Sequence, residues 1–330
     1  IVDADGKKMS KSLGHILNPY DVLDSVGADP LRWYFLARVA PDVQKRISVD
    51  IVADVASSFV NTLWNTYAFF VLYARLEDVD YTDRSEPASR PEIDRWAIAL
   101  QQRTLADVTE ALERYDAQAA GVAIESFVDQ LSNWYVRRNR RRFWKAADGD
   151  DKRAAYHTLY ECLSSLTYML APFTPFLAES LYQNLVRRVD AAAPESVHMA
   201  DWPKVDSALI DDDLLYEFDV LQKAVGLGRS ARSQSGVRTR QPLARALVRA
   251  PSEAAMAAVL SHREQIEDEL NVKSIEPVAR DASLVDYRFK PNLPVVGKKV
   301  GILVPKIRAA LDSADGEHIA TAVAAGDTFE

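Results

Sequence analysis

Between Asp50 and Ala74 the apolar residues Val52, Val55, Phe59, Leu63, Ala68, Phe70 and Val71 recur at helical spacing with neither Gly nor Pro among them, which predicts one long helix. Ahead of it, Asn18-Pro19 and Asp29-Pro30 each set a capping side chain before a proline, with Gly27 as a stop between them. Two short helices are expected there, over about 19–26 and 30–39. The polar, proline-containing stretch from Asp78 to Pro91 reads as a linker. Helical spacing resumes from Pro91 to about Arg114, from Ala117 to about Lys145, over about 152–170 and, past the breaks at Pro172 and Pro175, from Phe176 to Arg187. Long helices with short connections predict an antiparallel bundle. Beyond Pro203 come a helix over about 211–224, the basic, glycine-containing stretch Arg229–Arg240, and then Leu243–Arg249, Ser252–Leu270 and Val272–Val278 as strand, helix and strand. The expected fold is mainly α: a leading piece over 1–45, a helical bundle over 46–205, and a linker helix with a small α/β domain over 206–330.

Composition narrows the class. The 330 residues include 40 Lys or Arg and 48 Asp or Glu, a formal net charge of −8, with 48% hydrophobic and 27% charged residues. That balance is ordinary for a globular protein and repels nucleic acid as a whole, so any RNA contact must come from a local basic patch. No run approaches the ~18 consecutive apolar residues of a membrane span, and residues 1–20 lack a basic segment leading into an apolar one. Neither membrane insertion nor export is expected. Cys162 is the one cysteine, which excludes an intrachain disulfide and a multi-cysteine zinc site and fits a cytoplasmic setting. The histidines His15, His157, His198, His262 and His318 include no pair one helical turn apart, and no metal site is assigned. The chain opens on Ile1-Val2 without an initiator Met, as a strand end within a longer protein would.

Several patterns are set aside. Gly226-Leu227-Gly228-Arg229-Ser230-Ala231 spells the dinucleotide fingerprint but follows a helical pattern rather than a strand. Asp211-Asp212-Asp213 reads as charge complementation at a helix start, and the stretch Asp148–Asp151 lacks the alternating ligands of a calcium loop. Cys162, among Leu159, Leu163 and Leu166, reads as core, and His15 as a loop residue.

The sharpest local signal is Lys8-Met9-Ser10-Lys11-Ser12, preceded by Asp5-Gly6-Lys7 and followed by Leu13-Gly14. Two ammonium groups three residues apart on a short loop, with hydroxyls between them, can reach separate phosphate oxygens and neutralise charge that develops as pyrophosphate leaves. A solvated basic loop is the plain alternative. The pentapeptide resembles in full the KMSKS signature of class I aminoacyl-tRNA synthetases. Asn133-Trp134-Tyr135-Val136-Arg137-Arg138-Asn139-Arg140-Arg141-Arg142-Phe143-Trp144 is similar to the WY-x-R-x-NRRRFW segment of isoleucyl-tRNA synthetases. So are Ala171-Pro172-Phe173-Thr174-Pro175-Phe176, Glu269-Leu270-Asn271-Val272-Lys273 and Lys290-Pro291-Asn292 to further stretches of that family.

The resemblance implies a bundle of the anticodon-binding type, with residues 1–45 as the end of a catalytic fold and its stem-contact helices. It implies an ATP-binding loop of Lys8, Met9, Ser10, Lys11 and Ser12, in which Lys8 and Lys11 are catalytic. ATP with Mg2+, isoleucine and tRNA(Ile) would be the partners of an intact enzyme, expected to be a monomer. No HIGH-type motif and no editing insertion stands in these residues, so amino-acid activation is not expected of them alone. The alternatives are a valyl- or leucyl-tRNA synthetase and a non-catalytic helical RNA-binding protein.

The arginine segment also has a reading of its own. Stepped at about 100° per residue, the apolar stripe Ile124, Phe127, Val128, Leu131, Trp134 and Tyr135 continues in the same sector as Arg138, Arg142 and Lys145. A core face thus turns basic, and guanidinium groups at the end of a bundle can meet phosphates or bases, with aromatic rings as supports or stacking platforms. The candidate tRNA-binding set is Trp134, Arg137, Arg138, Asn139, Arg141, Arg142, Trp144 and Lys145. The alternative is a helix end whose cations serve its own dipole and carboxylates such as Asp148. A second set, Arg232, Arg238 and Arg240 with Arg229, lies among Gly226, Gly228 and Gly236, in a stretch that either follows an RNA backbone or is only a flexible connection.

Overall fold

The computed structural model describes residues 1–9, 17–77, 79–145, 149–279, 289, 291, 303–314, 316 and 319. The chain divides into two compact units, Ile1–Phe218 and Asp219–Glu330.

In the first unit α1 (Pro19–Val26) starts at Asn18, whose side chain accepts the Tyr20 N–H, and stops at Gly27, held at φ +94°. The next helix, α2 (Ala28–Trp33), begins earlier than expected and runs on through one wide turn (Tyr34–Arg38). Asp29 therefore lies inside its first turn instead of capping it. The helix expected over 50–74 is α3 (Val49–Val55), a wide turn (Ala56–Val60) and α4 (Asn61–Ala74). Then follow α5 (Glu92–Glu113), α6 (Ala117–Gln130), a wide turn (Leu131–Val136) and α7 (Arg137–Trp144). The first unit continues with α8 (Asp150–Leu170) and α9 (Pro175–Tyr182), the latter extended through Gln183–Arg187. Helix α8 is the middle of the bundle, with Tyr156, Leu159, Cys162, Leu163, Leu166 and Leu170 all fully buried.

The stretch read as a linker is held down along its second half. Arg90, 4% exposed, donates to the Ser85 carbonyl, to Thr158 Oγ1 and to both carboxylate oxygens of Glu161 on α8. An interior guanidinium needs its donors filled, and the chain supplies them by folding 85–90 onto α8.

The leading residues are bolted to the bundle at α9. Asp29 accepts the Leu177 N–H at 2.6 Å, so a carboxylate from α2 caps α9, whose own Thr174 makes no side-chain cap. Arg32 donates to the carbonyls of Pro172 and Phe173 at 2.8 and 3.0 Å. Trp33 stacks on Phe59 with ring centroids 3.8 Å apart. The Ala171–Phe176 segment is thus the socket for α2.

In the second unit, α10 (Asp212–Gln234), which starts in the first, runs ten residues past the expected end, straight through Gly226 and Gly228. Gly228 is there for closeness: a Cβ on it would lie 2.5 Å from Leu270 Cδ1. Strand β1 (Ala246–Val248) pairs in parallel with β2 (Ile275–Pro277), and between them α11 (Glu253–Ser261) and α12 (Arg263–Leu270) are divided at His262 where one helix was expected. A further helix, α13, spans Val304–Ser313.

Candidate nucleic-acid interface

The basic segment sits on a helix continuous from Ala117 to Trp144, whose stripe Ile124, Phe127, Val128, Leu131, Trp134 and Tyr135 is buried as expected. Beyond Tyr135 the inward face departs from the straight-helix projection. An i→i+5 turn holds one residue more than an α turn, so the inward face after Leu131–Val136 passes through Asn139 and Phe143, both buried. Arg138 is half-buried and Lys145 exposed.

Arg142 remains on the inner side and is surrounded by acceptors. Its Nη1 and Nη2 donate to the two oxygens of Asp94 at 2.9 and 2.7 Å, and its Nε to Asp151 Oδ2 at 3.1 Å. Nη1 also reaches Asn139 Oδ1 at 3.0 Å, and the Tyr135 hydroxyl donates to Asp94 Oδ1 at 2.5 Å. Asp94 is 0% exposed, and a bidentate guanidinium is the geometry that best offsets the desolvation of such a carboxylate. Burial disfavours the charge on Arg142, but the hydrogen bonds and charge of Asp94 outweigh it and raise its pKa. Burial, with the Asp94 charge after it, pushes the Tyr135 hydroxyl well up and keeps it a donor. Arg142 is therefore a bolt between α7 and the start of α5. Asp148 lies outside the described residues, and it is Asp151, in the first turn of α8, that pairs with Arg142.

The outer face of α7 carries the remaining cations. Arg140, Arg141, Trp144 and Lys145 are exposed, and Arg137 and Arg138 lie half-buried with their guanidinium carbons 5.7 and 5.2 Å from the Trp134 ring centroid. Trp134, only 7% exposed, is a support beneath two cations. Trp144 is 56% exposed, with Lys145 Nζ 4.9 Å from its centroid, and offers an open ring. Asn139 donates to the Tyr135 carbonyl and is internal. Arg140 was absent from the candidate set. The spacing Arg137, Arg140, Arg141, Trp144 is one helix face, and that outward pattern was the signal for it.

At the signature loop, Val2 is bridged to Lys8 on one side and to Arg46 on the other, and the chain reverses at Gly6, φ +84°. Asp3 Oδ1 accepts the Lys7 N–H at 2.7 Å. Lys8 is exposed at the end of this pinned hairpin, next to Met9. Ser10, Lys11, Ser12 and His15, like Lys290 and Asn292, lie outside the described residues. In the second unit Arg232 is buried, and Arg238 and Arg240 are exposed.

Residues 94–248 match the family described as the anticodon-binding domain of tRNA ligase, and residues 1–49 match tRNA synthetases class I (I, L, M and V). The isoleucine–tRNA ligase of Deinococcus radiodurans is 47% identical over 329 residues, 100% of this chain and 30% of that protein. The chain belongs to the isoleucine–tRNA ligase family. The isoleucine–tRNA ligase of Thermus thermophilus is likewise 47% identical, over 94% of this chain and 30% of its own length. The chain thus spans about 30% of the length of these family members. Among solved structures, the ternary complex of Agrobacterium radiobacter K84 LeuRS, tRNA and LeuAMS is similar over 88% of this chain and 31% of that one, at 18% identity and a TM-score of 0.49. Among the described residues no helix is long and apolar enough to cross a membrane.

Proposed function

We propose that this chain is the portion of an isoleucyl-tRNA synthetase that carries the signature loop and the tRNA-binding bundle. The intact enzyme joins isoleucine to ATP with Mg2+, releases pyrophosphate and transfers the isoleucyl group to tRNA(Ile), as a cytoplasmic monomer. Lys8 and Lys11 neutralise charge on the phosphates as pyrophosphate departs, within a loop completed by Met9, Ser10 and Ser12. The outer face of α7, with Arg137, Arg138, Arg140, Arg141, Trp144 and Lys145, meets the anticodon end. Trp134, Asn139 and Arg142 hold that face in place.

The observation that supports this reading most is the one-sidedness of α7: Arg142 is turned inward onto Asp94 while Arg140, Arg141 and Lys145 stay in solvent, on a chain whose net charge is −8. Splayed anticodon bases offer edges and faces that arginine and tryptophan can bond and stack, whereas a paired stem offers mainly phosphates and 2′-hydroxyls. In the full-length enzyme, Arg140→Gln with Arg141→Gln is expected to weaken tRNA charging while isoleucine-dependent ATP–pyrophosphate exchange without tRNA is unchanged. If this variant discriminates against tRNA with an altered anticodon as well as its parent does, α7 does not read the anticodon.

A further inference from the structure

The second basic set is organised by two side chains. Arg232, 5% exposed near the end of α10, donates from Nη1 to the carbonyls of Arg238 and Gln241 at 3.1 and 3.0 Å. Its Nη2 donates to the carbonyls of Leu270 and Asn271 at 2.6 and 3.0 Å. Asn271 ends α12 in the left-handed region, φ +51°, and its Nδ2 donates to the carbonyls of Thr239 and Arg240, both at 3.1 Å. Four consecutive carbonyls, 238 to 241, are thus drawn inward by one guanidinium and one amide. The same corner is tied by Leu243 N–H to the Asn271 carbonyl and by Lys273 N–H to the Leu243 carbonyl.

With its carbonyls turned in, the loop shows solvent its side chains: Arg238, Thr239 and Arg240 are exposed, and so is Lys273 across the Leu243–Val272 bridge. The four acceptors given to Arg232 are carbonyl dipoles, none a carboxylate, so its charge remains beneath the loop. A fixed backbone that displays guanidinium groups above a buried cation suits a polyanion, because the ordering cost of the loop is met before binding. It also accounts for the Glu269–Lys273 segment, whose Leu270, Asn271 and Lys273 all take part.

We propose that residues 238–241 form a preorganised phosphate-contacting loop, in which Arg238, Arg240 and Lys273 touch the backbone of tRNA and Arg232 and Asn271 are positioning residues. The proposal rests on reading the chain as tRNA-binding. It assigns this unit a sequence-independent contact and gives Arg232 a role without RNA contact.

The test measures binding of a tRNA(Ile) transcript to the full 330-residue chain across a series of salt concentrations. Arg238→Gln with Arg240→Gln, both surface changes, is expected to lower affinity and make the salt dependence shallower by about 0.7 to 0.9 in log–log slope per contact. Arg232→Met, and independently Asn271→Gly, which keeps the left-handed backbone accessible, are each expected to weaken binding about threefold to tenfold by releasing the loop. Added to the Arg238→Gln, Arg240→Gln background, either one should cost nothing further, which a general loss of structure would not reproduce. Parent-like affinity and slope in the double variant would overturn the inference alone, as would undiminished losses from Arg232→Met and Asn271→Gly on that background. A parent chain that fails to bind the transcript would overturn the tRNA-binding reading with it.

Discussion

Gly121 in α6 crosses Ala37 so closely that a Cβ on Gly121 would stand 2.2 Å from the Ala37 Cβ and 2.8 Å from its Cα. The obstruction is partly backbone, so the wide turn after α2 and α6 cannot relieve it by a rotamer change. Gly121→Ala is therefore expected to destabilise the first unit by about 1–3 kcal/mol, although Gly→Ala elsewhere in a helix gains up to about 1 kcal/mol. Thermal midpoints measure the sign, and an increase would refute the close crossing.

Arg142→Ala removes one partner of a buried pair and leaves the Asp94 charge with Tyr135 as a remaining donor. A loss of about 3–5 kcal/mol is expected, and most of it should return in Asp94→Leu with Arg142→Met, because apolar replacement of a whole buried pair is close to neutral. Denaturant midpoints of the three variants give the coupling. A double variant as unstable as the single one would mean that the pair itself, not the orphaned charge, carries the stability.

His157 accepts the Ser85 N–H at Nδ1 (3.2 Å) and faces the Asp80 carbonyl with Nε2 (3.0 Å), which fixes the neutral ring with its proton on Nε2. Burial lowers its pKa, the Asp80 carbonyl opposes this, Arg90 and Arg84 add to the lowering, and Glu161 opposes it. The unfolded chain then binds the proton more readily than the folded one, so this contribution is complete above the ordinary value of 6.5 and is lost as pH falls through and below it. Midpoints recorded from neutral to mildly acidic pH should fall less steeply in His157→Gln than in the parent. Identical slopes would show that His157 is not the group responsible.

Trp144→Ala is expected to leave stability within about 0.5 kcal/mol, the range of surface changes, while weakening tRNA binding by about 1–3 kcal/mol, the scale of base–aromatic stacking. Trp134→Ala, at a buried ring, should do the reverse and cost about 3–5 kcal/mol of stability. Calorimetry and tRNA titration on both variants separate platform from support. Equal binding losses at unequal stability would place the stacked base elsewhere.

Local chemistry was largely legible in the sequence and long-range partnership was not. Asn18, Gly27 and the apolar spacings mark α1, α5, α6 and α8 because caps and periodicity act within a few residues. A straight-helix projection carries the core stripe onto Arg138, Arg142 and Lys145, and nothing in the letters announces the extra residue of the wide turn at Leu131–Val136 that brings Asn139 and Phe143 inward. Arg140 was legible in its spacing from Arg137, Arg141 and Trp144. Asp29 carries every sign of a cap for its own helix, and its partner turns out to be the Leu177 N–H, 148 residues away. Gly226 and Gly228 suggest flexibility, yet both continue α10; at Gly228 the close approach of Leu270 rewards a missing side chain more than helix propensity penalises it, while a Cβ at Gly226 would meet nothing within 4 Å. Arg232 is a similar case: its composition reads as an RNA contact, and only the carbonyls of 238, 241, 270 and 271 show where its guanidinium is spent.

Cys162 lies at 0% exposure in the middle of α8, its Sγ 3.8 Å from the Ala97 carbonyl, and burial pushes its thiol well above the ordinary range. Modification needs a thiolate that a reagent can reach. The only sulfhydryl of the chain is consequently silent in every molecule whose α5–α8 layer is closed and becomes visible when that layer opens. The rate at which an alkylating reagent labels it thus acts as a clock for rare openings of the bundle. On the proposed reading, comparing that clock with and without tRNA would register whether the RNA steadies the interior beneath α7, where Cys162 neighbours Tyr135 and Asp94.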